Sequence, residues 1–148
     1  MIIIEPFEDE IAFLKKNHEH GSFGYNNPLH SFSSCTTSHF RGVKRSEKYG
    51  VYVVRQRDTS EVLYIGKGGT IDSKGRFKGQ DIPRRLKNVK ERNIRANKWF
   101  GDLYQKKGPL VIEYVFLPIS KCPALVEATL LQAYLNDQHR LPYKNKEL

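Results

Sequence analysis

The chain reads as an α+β fold, a small sheet containing antiparallel strands and flanked by helices, in the order β-β-α-α-β-α from residue 50. Three observations predict it. Residues 50–55 and 61–66 are short apolar runs on either side of the polar turn Arg57-Asp58-Thr59-Ser60, the pattern of a hairpin. LVIEYVFL, residues 110–117, is a third run of β-branched and aromatic residues. The segments between and after these runs carry helix start and stop signals.

Taken in order, residues 6–17 are predicted to form a short helix, with acids in the first turn and lysines in the last to complement the helix dipole. Residues 18–49, rich in Gly, Asn, Ser, Thr and His, show no clean period and are expected to be loop, with a short strand around 38–43. After the hairpin, residues 67–80 are glycine-rich and basic, which predicts a mobile loop. Asp81 as N-cap and Pro83 in the first turn open a helix expected to reach residue 92, with Ile82, Leu86 and Val89 on one face. Residues 97–107 form a second helix that turns Trp99, Phe100, Leu103 and Tyr104 inward and stops at Gly108-Pro109. A third begins at Pro123 and runs to about residue 137, and the tail RLPYKNKEL is irregular. The whole is expected to be one domain, residues 1–49 being an N-terminal extension on a core of residues 50–148.

At 148 residues, 39% hydrophobic and 28% charged, the chain has the composition of a soluble globular protein. No apolar run approaches the roughly 20 residues a spanning helix needs, and the N-terminal run is cut by Glu5 and Pro6, unlike a signal peptide. Cys35 and Cys122 form no CxxC pair and read as reduced thiols of a cytoplasmic protein.

Charge is uneven. Residues 74–107 hold twelve Lys/Arg against three acids, while the rest of the chain holds thirteen of each sign, so all of the formal +9 sits in one block. A solvated lysine-rich face would account for such a block, but so would a polyanion partner. Five of the twelve are arginines, suited to forked phosphate contacts, which favours nucleic acid. Lys74, Arg76, Lys78, Arg84, Lys87, Lys90, Arg92 and Arg95 are the candidate contacts.

GVY at residues 50–52 and YIG at residues 64–66, with eleven residues between the tyrosines, resemble the two signatures of the GIY-YIG nuclease superfamily. Arg85 in PRRL matches the arginine of the following helix, Glu127 a glutamate early in a later helix, and Asn145 in LPYKN an asparagine after a proline near the C-terminus. The similarity covers residues 50–145. It implies hydrolysis of DNA phosphodiester bonds with one Mg²⁺ (or Mn²⁺) per active site, leaving 5′-phosphate and 3′-hydroxyl ends. The compact chain is more similar to the restriction-enzyme and phage-endonuclease branch than to excision-repair nucleases.

Residue chemistry runs parallel to the resemblance. Cleaving a phosphodiester needs an activated water, cover for charge on the phosphoryl oxygens and help for the leaving oxygen. Glu127, an acid on a largely apolar helix, is the candidate metal ligand, or else a residue of the exposed face. Tyr52 is the candidate general base or water-orienting group, and a phenol with an ordinary pKa near 10 needs a nearby cation for that task. Tyr64 would stand beside it, although tyrosines are also ordinary strand residues. Strand alternation puts Tyr52 and Val54 on one face and Val51 and Val53 on the other, so the tyrosine face is expected to line a cleft. Arg85 would hold the scissile phosphate, with its neighbour Arg84 as the competing choice. Many family members carry His or Tyr one turn after this arginine, where this chain has Val89, so Lys67 or His39 is the substitute helper.

GKGGT is not a Walker A loop, because no glycine stands at its first position and Gly68 follows Lys67. His18, His20, Cys35 and His39 have no standard zinc spacing. The expected partner is double-stranded DNA, with self-association to a homodimer or higher oligomer, since one site per chain cuts one strand. The rival class is a non-catalytic DNA- or RNA-binding module on the same scaffold.

Overall fold

A computed structural model describes residues 3–26, 30–43, 48–88 and 94–148. Helix α1 (Phe7–Asn17) is followed by strand β1 (His20–Tyr25), helix α2 (Phe32–His39) and the hairpin β2 (Gly50–Gln56) and β3 (Val62–Gly68). A small second hairpin, β4 (Thr70–Ile71) and β5 (Phe77–Lys78), precedes α3 (Ile82–Lys87), α4 (Ala96–Lys107), β6 (Leu110–Phe116) and α5 (Pro123–Gln138). The main sheet has the order β1-β6-β2-β3 and all its pairs are antiparallel. The α+β class is therefore as the sequence predicts, and the order β-β-α-α-β-α from residue 50 is interrupted only by the β4–β5 hairpin. No helix among the described residues is long and apolar enough to cross a membrane.

Strand β2 is central and is covered on both faces. Val51 and Val53 pack with Phe7, Ile11 and Leu14 of α1 and with Leu130 and Tyr134 of α5. Tyr52 and Val54 pack on the other side with Phe32 of α2, Leu86 of α3 and Trp99 and Phe100 of α4. Two glycines let the sheet close around this strand. Gly50 faces β6 so tightly that a Cβ would lie 1.9 Å from the Val115 carbonyl oxygen. Gly66, directly opposite Tyr52, leaves room for the phenol ring: a Cβ there would meet its Cζ at 2.5 Å.

Residues 18–49 are not the loop the sequence predicts. β1 adds a fourth strand to the sheet against β6, burying Phe23 and Tyr25 and leaving the intervening positions less covered. Residues 32–39 are helical, and the strand expected around residues 38–43 is absent there. FSSCTTSH has weak helix propensity, but the Ser31 side chain accepts from the Ser34 N–H as an N-cap and Phe32 stacks on Phe100 at 3.6 Å. Long-range aromatic packing thus decides a segment whose local pattern is ambiguous. The N-terminal extension is accordingly part of the sheet and of both cores.

Two further expectations change. Residues 70–78 form an ordered hairpin instead of a mobile loop: Asp72 Oδ1 accepts from the Lys74 and Arg76 N–H groups, and Phe77 stacks on Tyr49 at 4.5 Å. Helix α3, capped by Asp81 through the Arg84 N–H as predicted, stops at Lys87, where Asn88 turns extended. Residues 89–93, which include Val89, Lys90 and Arg92, lie outside the described residues.

A buried charge cluster ties α1 to the sheet. Arg55, only 7% exposed, gives Glu8 a forked pair of hydrogen bonds at 2.8 Å each and also donates to the Ser60 carbonyl and to Glu113. Lys15 donates to the second Glu113 oxygen. Burial by itself would raise the Glu113 carboxyl, but the hydrogen bonds from Lys15 and Arg55 outweigh it and hold it below the ordinary carboxylate range.

Three outcomes are expected from equilibrium unfolding in denaturant. Gly50→Ala forces a Cβ against backbone and costs about 3 kcal/mol or more. Gly101→Ala, in α4 with open space around its Cβ, stabilises by about 0.5–1 kcal/mol. Glu113→Gln costs about 1.5–3 kcal/mol at neutral pH, because Lys15 loses its carboxylate while Arg55 keeps only the forked pair with Glu8. A depressed carboxyl stabilises above its unfolded value and loses that contribution as pH falls through the folded one, so the deficit of Glu113→Gln shrinks below about pH 4.5.

Candidate active site

Four of the residues singled out in the sequence line one cleft of about 260 Å³: Tyr64 and Lys67 from β3, Arg85 from α3 and Glu127 from α5. β3 is an edge strand, and α3 and α5 pack against it from opposite faces of the sheet, which is how side chains 63 positions apart in the chain converge. Gly68 sets the close approach of α3, since a Cβ there would come within 2.8 Å of the Ile82 nitrogen. Gly69, Thr70, Gly79 and Gln80 at the base of the second hairpin form the remaining wall.

Tyr52 lies behind this cleft instead of lining it, which corrects the expectation of an open tyrosine face. Its side chain is 1% exposed and belongs to the core. The two phenol rings are 6.0 Å apart, and Tyr52 shares a hydrogen bond with Tyr64. Burial pushes the Tyr52 phenol well above its ordinary value of 10, the Tyr64 ring adds to that, and the charge of Arg85 only partly opposes it. Tyr52 therefore stays protonated at neutral pH. Tyr64, half-buried and braced edge-on by Trp99 at 5.0 Å, is the phenol that faces the cleft.

Glu127 is the single carboxylate among the described residues of the cleft lining. Burial raises its pKa above the ordinary 4.5, and the charges of Lys67 and then Arg85 pull it back only in part. No cluster of three or more His, Cys, Asp or Glu side chains suited to a metal occurs among the described residues. One carboxylate is nevertheless a fitting donor set for Mg²⁺, which keeps most of its waters and accepts one or two protein oxygens beside a substrate phosphate. Arg85 and Lys67 supply opposite charge around the same space.

Arg84 is exposed and off the cleft, so the choice between the adjacent arginines falls to Arg85. Asn145 does not enter the cleft. Its Nδ2 donates to the Ile65 carbonyl and its Oδ1 accepts from the Ile65 N–H, both at 2.9 Å, so its amide closes the outer edge of β3 as a peptide group would. His39 is not a helper for Tyr52 here: its Nε2 is 2.7 Å from the Tyr114 hydroxyl, and its ring stacks on Phe23. Lys74, Arg76 and Lys78 are exposed on the second hairpin, next to the cleft wall. Lys87 and Arg95 lie instead on the side of α3 and α4 that meets α2. Thr70 and Gln80 were not singled out from the sequence, and nothing in their local pattern marks them.

Comparison of the chain with protein-family models, with curated proteins and with solved structures finds no match.

A carboxyl raised by burial is a stability cost at neutral pH, present once the group ionises. Glu127→Gln is expected to raise the melting temperature at pH 7, and the gain is expected to vanish below about pH 4.5, where wild-type Glu127 is protonated. Thermal unfolding at the two pH values checks this.

Proposed function

We propose that this protein is a Mg²⁺-dependent DNA endonuclease of GIY-YIG type, hydrolysing phosphodiester bonds as a restriction-type or phage-type enzyme. The observation that carries the reading is the meeting of Tyr64, Lys67, Arg85 and Glu127 around one cleft, with Tyr52 hydrogen-bonded behind it. The five residues come from four elements, β2, β3, α3 and α5, and their types match what phosphodiester hydrolysis requires.

In this reading Arg85 binds the scissile phosphate, and its guanidinium with the Lys67 ammonium offsets the charge that builds on the non-bridging oxygens. Tyr64 orients the attacking water through its phenol oxygen. Tyr52, kept protonated by burial, fixes the Tyr64 hydroxyl and acts as a positioning residue. Glu127 holds the metal, which when bound polarises the phosphate and eases departure of the leaving oxygen. The exposed cations of the second hairpin, Lys74, Arg76 and Lys78, contact the DNA backbone beside the cleft. Cutting both strands then requires a homodimer or higher oligomer, because each chain contributes one cleft.

A non-catalytic nucleic-acid-binding module would share the charge and the salt-sensitive affinity, so turnover is the discriminating measurement. Incubation with supercoiled plasmid and Mg²⁺ is expected to give nicked and linear DNA. Arg85→Ala and Glu127→Ala are each expected to lower the rate by about 10²–10³. Tyr64→Phe is expected to lose more activity than Tyr52→Phe. The acid limb of the rate profile is expected above pH 4.5, as the raised Glu127 carboxyl must ionise first. Wild type and Glu127→Ala nicking at equal rates would end the nuclease reading.

A further inference from the structure

A second polar groove lies on the far side of α3 from the cleft. It consists of two adjoining cavities of about 180 and 310 Å³ that share Lys87 as a wall. One side is α2, through Ser33 and Thr37; the other is α3 and the start of α4. Arg41 lines the first cavity and Arg95 the second, and both are exposed. No acid lines either cavity among the described residues, and no described carboxylate forms an ion pair with Arg41, Lys87 or Arg95. Elsewhere the chain does pair its surface cations, as with Lys98 and Asp102 or Lys48 and Glu19.

The neutral groups of the groove present donors. Thr37 Oγ1 already accepts from Lys87 Nζ at 3.2 Å, which holds the ammonium against α2. Asn97, an exposed residue, accepts from the Ser33 N–H through Oδ1 at 2.8 Å, so its Nδ2 is the donor end of that amide. Three cations and a set of N–H and O–H donors, with no carboxylate among the described lining residues, form a surface suited to anionic oxygens.

We infer that the groove between α2 and the α3–α4 segment binds the backbone phosphates of duplex DNA flanking the phosphate held at Arg85. The inference rests on the nuclease reading for the identity of the polymer, and it gives the N-terminal segment a role in substrate binding. Arg85 faces the cleft while Pro83 and Lys87, two residues to either side, face the groove, so α3 separates the two sites. A helix is about 10–12 Å across, and phosphates of one strand advance about 3.4 Å per nucleotide along the duplex axis. The groove therefore meets phosphates roughly three nucleotides from the scissile one.

The test is the salt dependence of duplex binding, measured by fluorescence anisotropy in chelator so that no hydrolysis intervenes. Arg41→Gln/Arg95→Gln is compared with wild type and with Lys16→Gln/Lys121→Gln, an equal loss of charge on the α1 side of the sheet. Each phosphate contact contributes about 0.9 to the slope of log affinity against log salt, so the groove variant is expected to lose about 2 from it and the control to lose nothing. The inference is overturned if both variants lower the slope alike, if neither does, or if the effect appears with duplex RNA of the same sequence and not with DNA. A wild type that binds DNA steeply but never cuts sinks the nuclease reading and leaves the groove standing. A wild type that cuts while the groove variant keeps the full slope sinks only the groove.

Discussion

The fold depends on one strand being covered from both sides. β2 is buried along almost its whole length, Arg55 included; β3 and β6 pair with it, and the helices cover its two faces. Pairing with β6 requires Gly50, because no side chain fits beneath the Val115 carbonyl, and pairing with β3 requires Gly66, because the Tyr52 ring occupies the space a Cβ would take. The two glycines and the tyrosine form one packing unit. Close packing of that kind tolerates little change in volume.

The same burial divides the labour between the two phenols. Tyr52 gains its fixed position from the core and loses its ability to ionise near neutral pH, since a charged phenolate has no solvent there. Tyr64, one strand nearer the sheet edge, keeps contact with the cleft and borrows its orientation from Tyr52 and Trp99. Glu127 stands between these extremes. Partial burial raises its carboxyl, and two cations nearby keep the shift in check. Such a balance between desolvation and local charge is characteristic of sites that trade stability for chemistry.

Charge outside the cleft is arranged on two sides of a short helix. The second hairpin carries exposed cations beside the cleft, and the α2–α3 groove carries another set behind it, while Glu8 and Glu113 are drawn into structural pairs with Arg55. The buried cluster at Arg55 ties α1 to the sheet. Among the described residues of the basic block, Lys74, Arg76, Lys78, Arg84, Arg95, Lys98 and Lys106 are exposed, and Arg85 turns to the cleft.

Much of this was legible in the residues. The hairpin over residues 50–66, the strand at residues 110–116 and the helix opening at Pro123 follow from apolar period and turn chemistry, which are local properties. So does the Asp81 cap. Three matters belonged to the tertiary structure. The helical state of residues 32–39 depends on Phe32 finding Phe100, a contact 68 positions away that no local window contains. Whether Arg84 or Arg85 faces the cleft depends on the rotation of α3 about its axis, where one residue is worth about 100°. And the split between a buried Tyr52 and an accessible Tyr64, with Asn145 spent on the edge of β3, follows from which strand is central and which is at the edge. Sequence pattern by itself determined which side chains alternate along each strand; the pairing order of the sheet decided which of them reach water, because burial is set by neighbours and not by the residue.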